Sequence, residues 1–234
     1  MFVSETPRIE LIHGDCMPAL EAMKENQFDL AIVDPPYFDG PQRKLYYGSR
    51  VKGKHSGWGK YSKLNNWQVP DNDYWVMVKR CSKEQIVWGI NYFDFSNVGP
   101  GRIIWDKCNE ASTFSDCEIA YCSKIFTVRK FTFMWNGMMQ GKSLTEGQIM
   151  NGRKSENEKR IHQTQKPVIL YKWLLKEFAK PGQRILDTHG GSMSIAIACY
   201  DMGIDLDLYE IDEECYNRGI KRFNEHKSQM KLFK

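Results

Sequence analysis

The stretch RILDTHGGSMSIAIACYDMG, from Arg184 to Gly203, decides the fold. It begins with a short apolar segment that predicts a strand ending at Asp187, and a glycine turn follows. From Ser194 a continuous apolar segment predicts a helix that stops at Gly203, because glycine commonly ends helices. The next apolar segment predicts a strand ending at Glu210. Strand, glycine turn, helix and strand form the unit from which parallel α/β sheets are built.

Similar alternation of strands and helices extends along the rest of the chain. Apolar runs predict strands, amphipathic spacing predicts helices, and residues 127–135 alternate in a way that suits an antiparallel strand. We therefore predict an α/β fold with a doubly wound, mostly parallel sheet, in a single domain spanning residues 1–234. The further predicted strands are 8–13, 28–33, 85–89 and 102–105, and the further predicted helices begin after Gly14-Asp15, at Asp71 or Asp73, at Pro167 and at Asp212.

Composition excludes several classes of protein. The 234 residues are 41% hydrophobic, which is enough for one sizeable core. The N-terminus lacks the pattern of a secretory leader, and no segment approaches the roughly 20 apolar residues that span a bilayer, so we expect a cytoplasmic protein with no membrane contact. The seven cysteines are scattered and never form a CxxC pair, which favours reduced thiols and no metal site.

A basic and aromatic segment is the first candidate nucleic-acid surface. Residues 40–70 contain no acidic side chain, and their cations are interleaved with Tyr46, Tyr47, Trp58, Tyr61 and Trp67. Phosphates attract such cations and unstacked bases attract the rings, although a surface loop with its aromatics on the core is the alternative. The candidate DNA-binding cations are Arg43, Lys44, Arg50, Lys52, Lys54 and Lys60.

Two insertions are predicted to contact DNA, at residues 38–70 and 137–163. The second is polar, carries four glycines and a charged run, and is predicted to be a mobile loop. Arg153 and Lys154 are its candidate DNA-binding residues.

The sequence Asp34-Pro35-Pro36-Tyr37 follows a predicted buried strand and is the candidate catalytic motif. The amino nitrogen of adenine is a poor nucleophile because its lone pair is delocalised into the ring. The Asp34 carboxylate and the Pro35 carbonyl are two acceptors that could draw its N–H bonds toward tetrahedral geometry. The prolines fix the backbone, and Tyr37 offers a face for an extruded base. The alternative is a turn that merely ends the strand.

Four motifs, in this order, resemble those of DNA amino-methyltransferases. They are Asp34-Pro35-Pro36-Tyr37, His162-Gln163-Thr164-Gln165-Lys166-Pro167, Asp187-Thr188-His189-Gly190-Gly191-Ser192-Met193 and Glu210. The order matches the circularly permuted class, in which the catalytic motif precedes the cofactor motif. Residues 88–93, 114–118 and 135–137 also resemble segments of small methylases common in phages and mobile elements.

The resemblance implies a Rossmann-like fold and transfer of a methyl group from S-adenosylmethionine to the N6 amino group of adenine in double-stranded DNA. The transfer would be a direct displacement on a flipped base, at a target sequence that the motifs do not identify. The resemblance is compatible with a homodimer and with a cognate restriction enzyme as partner, but it decides neither.

Cofactor residues follow partly from spacing and partly from the resemblance. A carboxylate about 20 residues after a glycine turn can bind ribose hydroxyls, which indicates Glu210. The resemblance places Asp187 and Gly191, with His189 and Ser192 of the same turn, at the methionine portion, and Lys166 and Pro167 near its carboxylate. Asp15 is either a ligand for the adenine amino group or the cap of a helix.

Two positions depart from the family pattern. Met193 stands where a second glycine is usual, and Gln163 replaces a proline. Met193 could crowd the cofactor or pack flexibly against it. Asp116 and Glu118 are interpreted as structural members of an acid-rich loop.

Three other functions stay open. Methylation of cytosine at N4 uses the same two acceptors, but relatives with that specificity tend to have serine at the position of Asp34. Methylation of a protein glutamine leaves the basic aromatic segment unexplained. A catalytically inactive regulator that binds DNA or S-adenosylmethionine would have Met193 as its signature.

Overall fold

The computed structural model describes residues 6–37, 68–94, 98–109, 115–136, 139–162 and 164–231. Its strands are β1 (Ile9–His13), β2 (Leu30–Val33), β3 (Gln85–Trp88), β4 (Arg102–Asp106), β5 (Cys117–Cys122), β6 (Val128–Thr132), β7 (Trp135–Asn136), β8 (Met139–Gln140), β9 (Arg184–Asp187) and β10 (Asp205–Glu210). Its helices are α1 (Cys16–Ala22), α2 (Asn72–Cys81), α3 (Val168–Phe178), α4 (Ser194–Met202) and α5 (Glu213–Lys231). None of these helices is long and apolar enough to span a membrane.

Eight strands form one mixed sheet in the order β1-β10-β9-β2-β3-β5-β4-β6. The first five are parallel to one another, and β5 runs antiparallel to both β3 and β4. This arrangement confirms the predicted α/β fold with a mostly parallel sheet.

The prediction of an antiparallel strand at 127–135 is wrong, and so is the prediction of a loop around Glu118. The segment forms β6, which pairs with β4 in parallel. Because β3 and β4 already occupy both edges of β5, the next strand must pair with the outer edge of β4. A strand that reverses after β5 is then parallel to β4. Glu118 itself lies within β5.

The order of the strands reverses between β9 and β2. From β9 the chain continues through α4 to β10 on one side, whereas from β2 it continues through α2 to β3 on the other. Ligands of open α/β sheets bind at such a switch point, outside the carboxyl ends of the strands. Asp187 ends β9 and Asp34 follows β2, so both candidate residues lie at this point.

Strand β2 is buried on both faces, as its apolar run predicts. Leu30 and Ile32 pack with the side chains of α3 and α4, whereas Ala31 and Val33 pack with those of α1 and α2. The helices therefore cover both faces of the sheet and hold its central strands out of water.

The insertion predicted to be a mobile loop packs against the body of the protein at two of its glycines, whereas residues 153–156 are exposed. β8 pairs with β7, and Gly141 and Gly147 are buried. A side chain at Gly147 would overlap the carbonyl of Thr132, so the glycine permits a close approach of two backbones. Gly141 and Gly147 are therefore explained by close packing, whereas Gly152 has open space around it.

Met193 is fully buried and adopts a left-handed backbone conformation with φ of 57°. Its side chain lies against Gly219 of α5, where a Cβ atom would stand 2.8 Å from Met193 Cγ and 3.0 Å from Sδ. The prediction that Met193 contacts the cofactor is therefore replaced by a packing role, because the absence of a side chain at Gly219 makes room for it.

We expect Gly219→Ala to lower the free energy of unfolding by about 1–2 kcal/mol, because overpacking against Met193 outweighs the gain in helix propensity. Combining it with Met193→Gly should give a favourable coupling of about 1 kcal/mol in a double-mutant cycle measured by urea unfolding. Gly152→Ala, with no heavy atom within 4 Å of its new Cβ, is the control. Additive effects of the two substitutions would contradict the packing role.

Candidate active site

Three carboxylates lie at the carboxyl ends of the adjacent strands β2, β9 and β10. They belong to Asp34, Asp187 and Glu210, of which Asp187 is 2% and Glu210 8% exposed. Burial raises the pKa of Asp187 to about 8, and the neighbouring charges of Asp34 and Glu210 act in the same direction. Burial likewise raises the pKa of Glu210. Simultaneous ionisation of the three carboxyls of this cluster is therefore unfavourable in the isolated protein, and a bound cation would favour their ionised forms.

Asp34 has one occupied and one unoccupied carboxylate oxygen. Oδ2 accepts a hydrogen bond from Lys166 Nζ, whereas Oδ1 is buried and has no hydrogen-bond partner within the described part of the chain. Burial raises the pKa of this carboxyl although Lys166 opposes the shift. Because buried acceptors are normally satisfied, Oδ1 indicates a donor that a ligand supplies.

The ring of Tyr37 contacts two residues that follow β3. It stacks on Tyr92, with ring centroids 4.6 Å apart and planes inclined by 10°. Gly89 adopts a left-handed conformation, with φ of 70°, and a side chain there would overlap the ring of Tyr37. Tyr92 remains half-exposed, so this aromatic pair reaches the surface of the protein close to Asp34 in the chain.

Lys166 contacts Asp34 and a second carboxylate, that of Glu118, which the sequence analysis interpreted as part of a structural loop. Its side chain is 2% exposed, and its Nζ lies 3.0 Å from Glu118 Oε2. Glu118 Oε1 in turn lies 2.5 Å from Lys107 Nζ. Burial acts to raise the pKa of Glu118, but Lys166 and Lys107 outweigh it and hold the pKa at about 2. Glu118 could have been identified as a candidate site residue only if strand β5 had been predicted, and the sequence pattern did not predict it.

The glycine turn is fixed by backbone donors to Glu210. Gly191 N donates to Glu210 Oε2 over 2.6 Å, and Asp212 N donates to Oε1 over 2.8 Å. A side chain at Gly190 would overlap Leu208, so this glycine permits the turn to approach β10. Each oxygen of Glu210 keeps a further lone pair for a hydroxyl donor.

His189 and Ser192 complete the turn. His189 N donates to Asp187 Oδ1 over 3.0 Å, and its ring contacts Thr188, whose hydroxyl lies 2.6 Å from the hydroxyl of Tyr74. Burial lowers the pKa of His189 to about 4, so the ring is neutral near pH 7. The buried Ser192 hydroxyl bonds to Ser194. Both side chains therefore form hydrogen bonds with neighbouring residues of the chain.

Asp15 caps a helix, which was one of its two predicted roles. Its Oδ1 accepts from Met17 N over 2.9 Å at the start of α1. Gly14 N donates to the carbonyl of Glu210, so Asp15 also lies at the same edge of the sheet as the cluster.

Glu158 fastens the second insertion to the site. Its Oε2 accepts from Val168 N, the first residue of α3, which Pro167 cannot cap with a side chain. Its Oε1 accepts from Arg222, and Arg222 also donates to the carbonyl of Ser192 over 2.7 Å. One carboxylate thus links the insertion, the start of α3 and the glycine turn.

The candidate DNA-binding cations are divided by the structure. Those between Arg43 and Lys60 lie outside the described residues. Arg153 and Lys154 are exposed, and Arg153 forms an ion pair with Glu156 over 3.0 Å. Both side chains are therefore available at the surface of the second insertion.

Comparisons with known proteins agree with this arrangement. Residues 128–221 match the model of the N6_N4_Mtase family, described as DNA methylase. Across 93% of its length the chain is 26% identical to the type II methyltransferase M.HinfI of Haemophilus influenzae, of which the alignment covers 68%.

Two solved structures share the fold. The M1.HpyAVI-SAM complex is 17% identical, with 92% of this chain and 99% of that chain covered and a TM-score of 0.50. The PvuII DNA methyltransferase, described as cytosine-N4-specific, is 15% identical, with 93% and 87% covered and a TM-score of 0.55. The chain has the fold of DNA methyltransferases. Its particular resemblance is to the DNA amino-methyltransferases.

We expect Glu158→Ala to lower the free energy of unfolding by about 3 kcal/mol, because it leaves the partly buried Arg222 guanidinium without its counter-charge. The matched control is Arg153→Ala, which removes an exposed ion pair of the same insertion and should cost less than about 1 kcal/mol. Thermal and urea unfolding measure both. Equal losses in the two variants would contradict the linking role of Glu158.

Proposed function

We propose that the protein is an S-adenosylmethionine-dependent DNA methyltransferase that methylates the N6 amino group of adenine in double-stranded DNA. The observation that carries the proposal is the buried Oδ1 of Asp34, which has no hydrogen-bond partner among the described residues and lies at the switch point of a methyltransferase fold, close to an aromatic pair. The family match supports a DNA methyltransferase, and the resemblance of the motifs favours adenine N6 as the target.

The chemistry follows from two acceptors on a rigid backbone. Asp34 Oδ1 accepts one N–H of the target amino group and the Pro35 carbonyl accepts the other, which draws the nitrogen lone pair out of the ring. The extruded base stacks on one face of the Tyr37 ring, and Tyr92 stacks on the other face and supports it. The methylated nitrogen then sheds a proton, which the Asp34 carboxyl can accept because burial raises its pKa.

The residues present fit the proposed cofactor. S-adenosylmethionine carries a net positive charge and supplies a methyl group on an electrophilic sulfonium. The cluster of Asp34, Asp187 and Glu210 offers the negative potential that such a cation relieves, and the free lone pairs of Glu210 suit ribose hydroxyls. Gly191, whose added Cβ would meet no atom closer than 4.0 Å, leaves room beside the turn.

Adenine is proposed as the target because Asp34 leads the catalytic motif. Cytosine N4 is the second candidate, since the structural neighbour from PvuII is described as specific for it. The inactive regulator loses its main support, because Met193 packs against Gly219.

The unaltered protein should transfer labelled methyl groups from S-adenosylmethionine to unmethylated DNA, with N6-methyladenine found by nucleoside mass spectrometry. Asp34→Ala should lower kcat by at least about 100-fold, because it removes the preorganised acceptor. Asp73→Asn, an exposed acid at the start of α2, should retain full activity. N4-methylcytosine in the product would keep the mechanism and change the base. Absence of transfer to varied DNA would contradict the function.

Binding of S-adenosylmethionine should strengthen as the pH rises toward 8. Without ligand the Asp187 carboxyl has a pKa of about 8, so a cation that requires its ionised form must displace a proton at lower pH. Calorimetric Kd values should increase by up to about tenfold per pH unit below 8. Asp187→Asn should bind more weakly and with little pH dependence. A flat profile for the unaltered protein would place the cation elsewhere.

A further inference from the structure

Four alternating charges form a continuous row that ends at the proposed catalytic carboxylate. Lys107, just beyond β4, contacts Glu118 of β5; Glu118 contacts Lys166; and Lys166 contacts Asp34. Their side chains are 16%, 21%, 2% and 17% exposed in that order, so solvent screens them weakly. The row crosses from the antiparallel side of the sheet to the switch point between β2 and β9.

The row divides the charge of Lys166 between two carboxylates. If Lys166 were paired with Asp34 alone, its full charge would neutralise the group that must accept from the target amino group. Glu118 contacts the same ammonium, with its Oε2 3.0 Å from Nζ, and competes for it. Lys107 supplies the counter-charge that keeps Glu118 ionised.

A row of this kind is costly for the fold. Buried ion pairs commonly stabilise a protein less than apolar side chains of similar volume would, because desolvation offsets their attraction. The Lys166 ammonium also lies 5.3 Å from the centroid of the Trp88 ring, which is fully buried. The arrangement therefore requires a reason other than stability, and within the described residues the reacting group that it contacts is Asp34.

We propose that Glu118 is a positioning residue for methyl transfer: supported by Lys107, it holds Lys166 against Asp34 Oδ2 and leaves Oδ1 as the charged acceptor for the target amino group. The inference rests on the proposed function. It assigns Lys166 to the catalytic carboxylate, whereas the family resemblance implied that Lys166 lies near the carboxylate of the cofactor.

Two substitutions with opposite electrostatic signs test the proposal. Glu118→Gln should lower kcat by about 10–100-fold, leave the KM for S-adenosylmethionine within about twofold, and move the acid limb of kcat to lower pH. The shift has this sign because ionised Glu118 raises the pKa of Asp34. Lys107→Gln should move the limb to higher pH, since Lys107 lowers the same pKa.

Glu84→Gln is the matched control, because this acid bonds to Ser123 at the far end of the sheet and does not touch the row. It should leave kcat and the acid limb unchanged. If Glu118 has only a structural role, its substitution should lower activity in proportion to the lost stability and should leave the acid limb of kcat in place. That result overturns the proposal. A rise in KM for S-adenosylmethionine at constant kcat also overturns it, in favour of a cofactor role for the row.

The failure of the two proposals can be distinguished. No methyl transfer by the unaltered protein overturns the proposed function and the role of Glu118 with it. If the unaltered protein transfers methyl groups, the outcome depends on the acid limb of the kcat–pH profile in the two variants. An acid limb that moves in the same direction in both variants, or that does not move, overturns the role of Glu118 alone.

Discussion

The parallel pairing of β2 with β9 is the constraint on which the site depends. Leu30 lies opposite Ile185 and Ala31 opposite Leu186, although the two strands come from distant parts of the chain. Because parallel strands end at the same edge of a sheet, this register sets Asp34 beside Asp187 and the glycine turn. A shift by one residue would turn every side chain of β2 to the other face, and both faces are buried, so the register is strongly specified.

The site gathers charges that the core must support. Asp187 and Glu210 are buried with raised pKa values, and Lys166 contributes a buried ammonium. Such groups cost free energy unless they are paired. The contacts that fix them come from elements outside the switch point: α3 begins under the cap of Glu158, and Arg222 of α5 binds the carbonyl of Ser192. The periphery of the fold therefore maintains the geometry of its centre.

Sequence patterning predicted the elements that have strong local signals. The apolar run of β2, the cap of α2 at Asp71 and the end of α4 at Gly203 follow from local chemistry, and the structure confirms them. It failed where pairing across the sheet decides. β5 mixes polar and apolar residues, and the direction of β6 depends on which edges are free.

The same limit applies to the site. The motifs placed Asp34, Asp187 and Glu210 each at or just beyond the end of a predicted strand, and the structure brings these strand ends to one edge of the sheet. The motifs could not predict that Lys166 pairs with Asp34 and Glu118, since those contacts join three distant segments through side-chain geometry.

The packing of Met193 explains why a methionine is tolerated where the family motif usually has a glycine. A left-handed conformation costs a non-glycine residue about 1–2 kcal/mol, which taken alone favours glycine at this position. Full burial of a methionine side chain contributes about 1.5–3 kcal/mol, and Met193 is fully buried. The balance favours methionine only while residue 219 has no side chain to occupy the same space. Met193 in the turn and Gly219 on α5 therefore depend on each other.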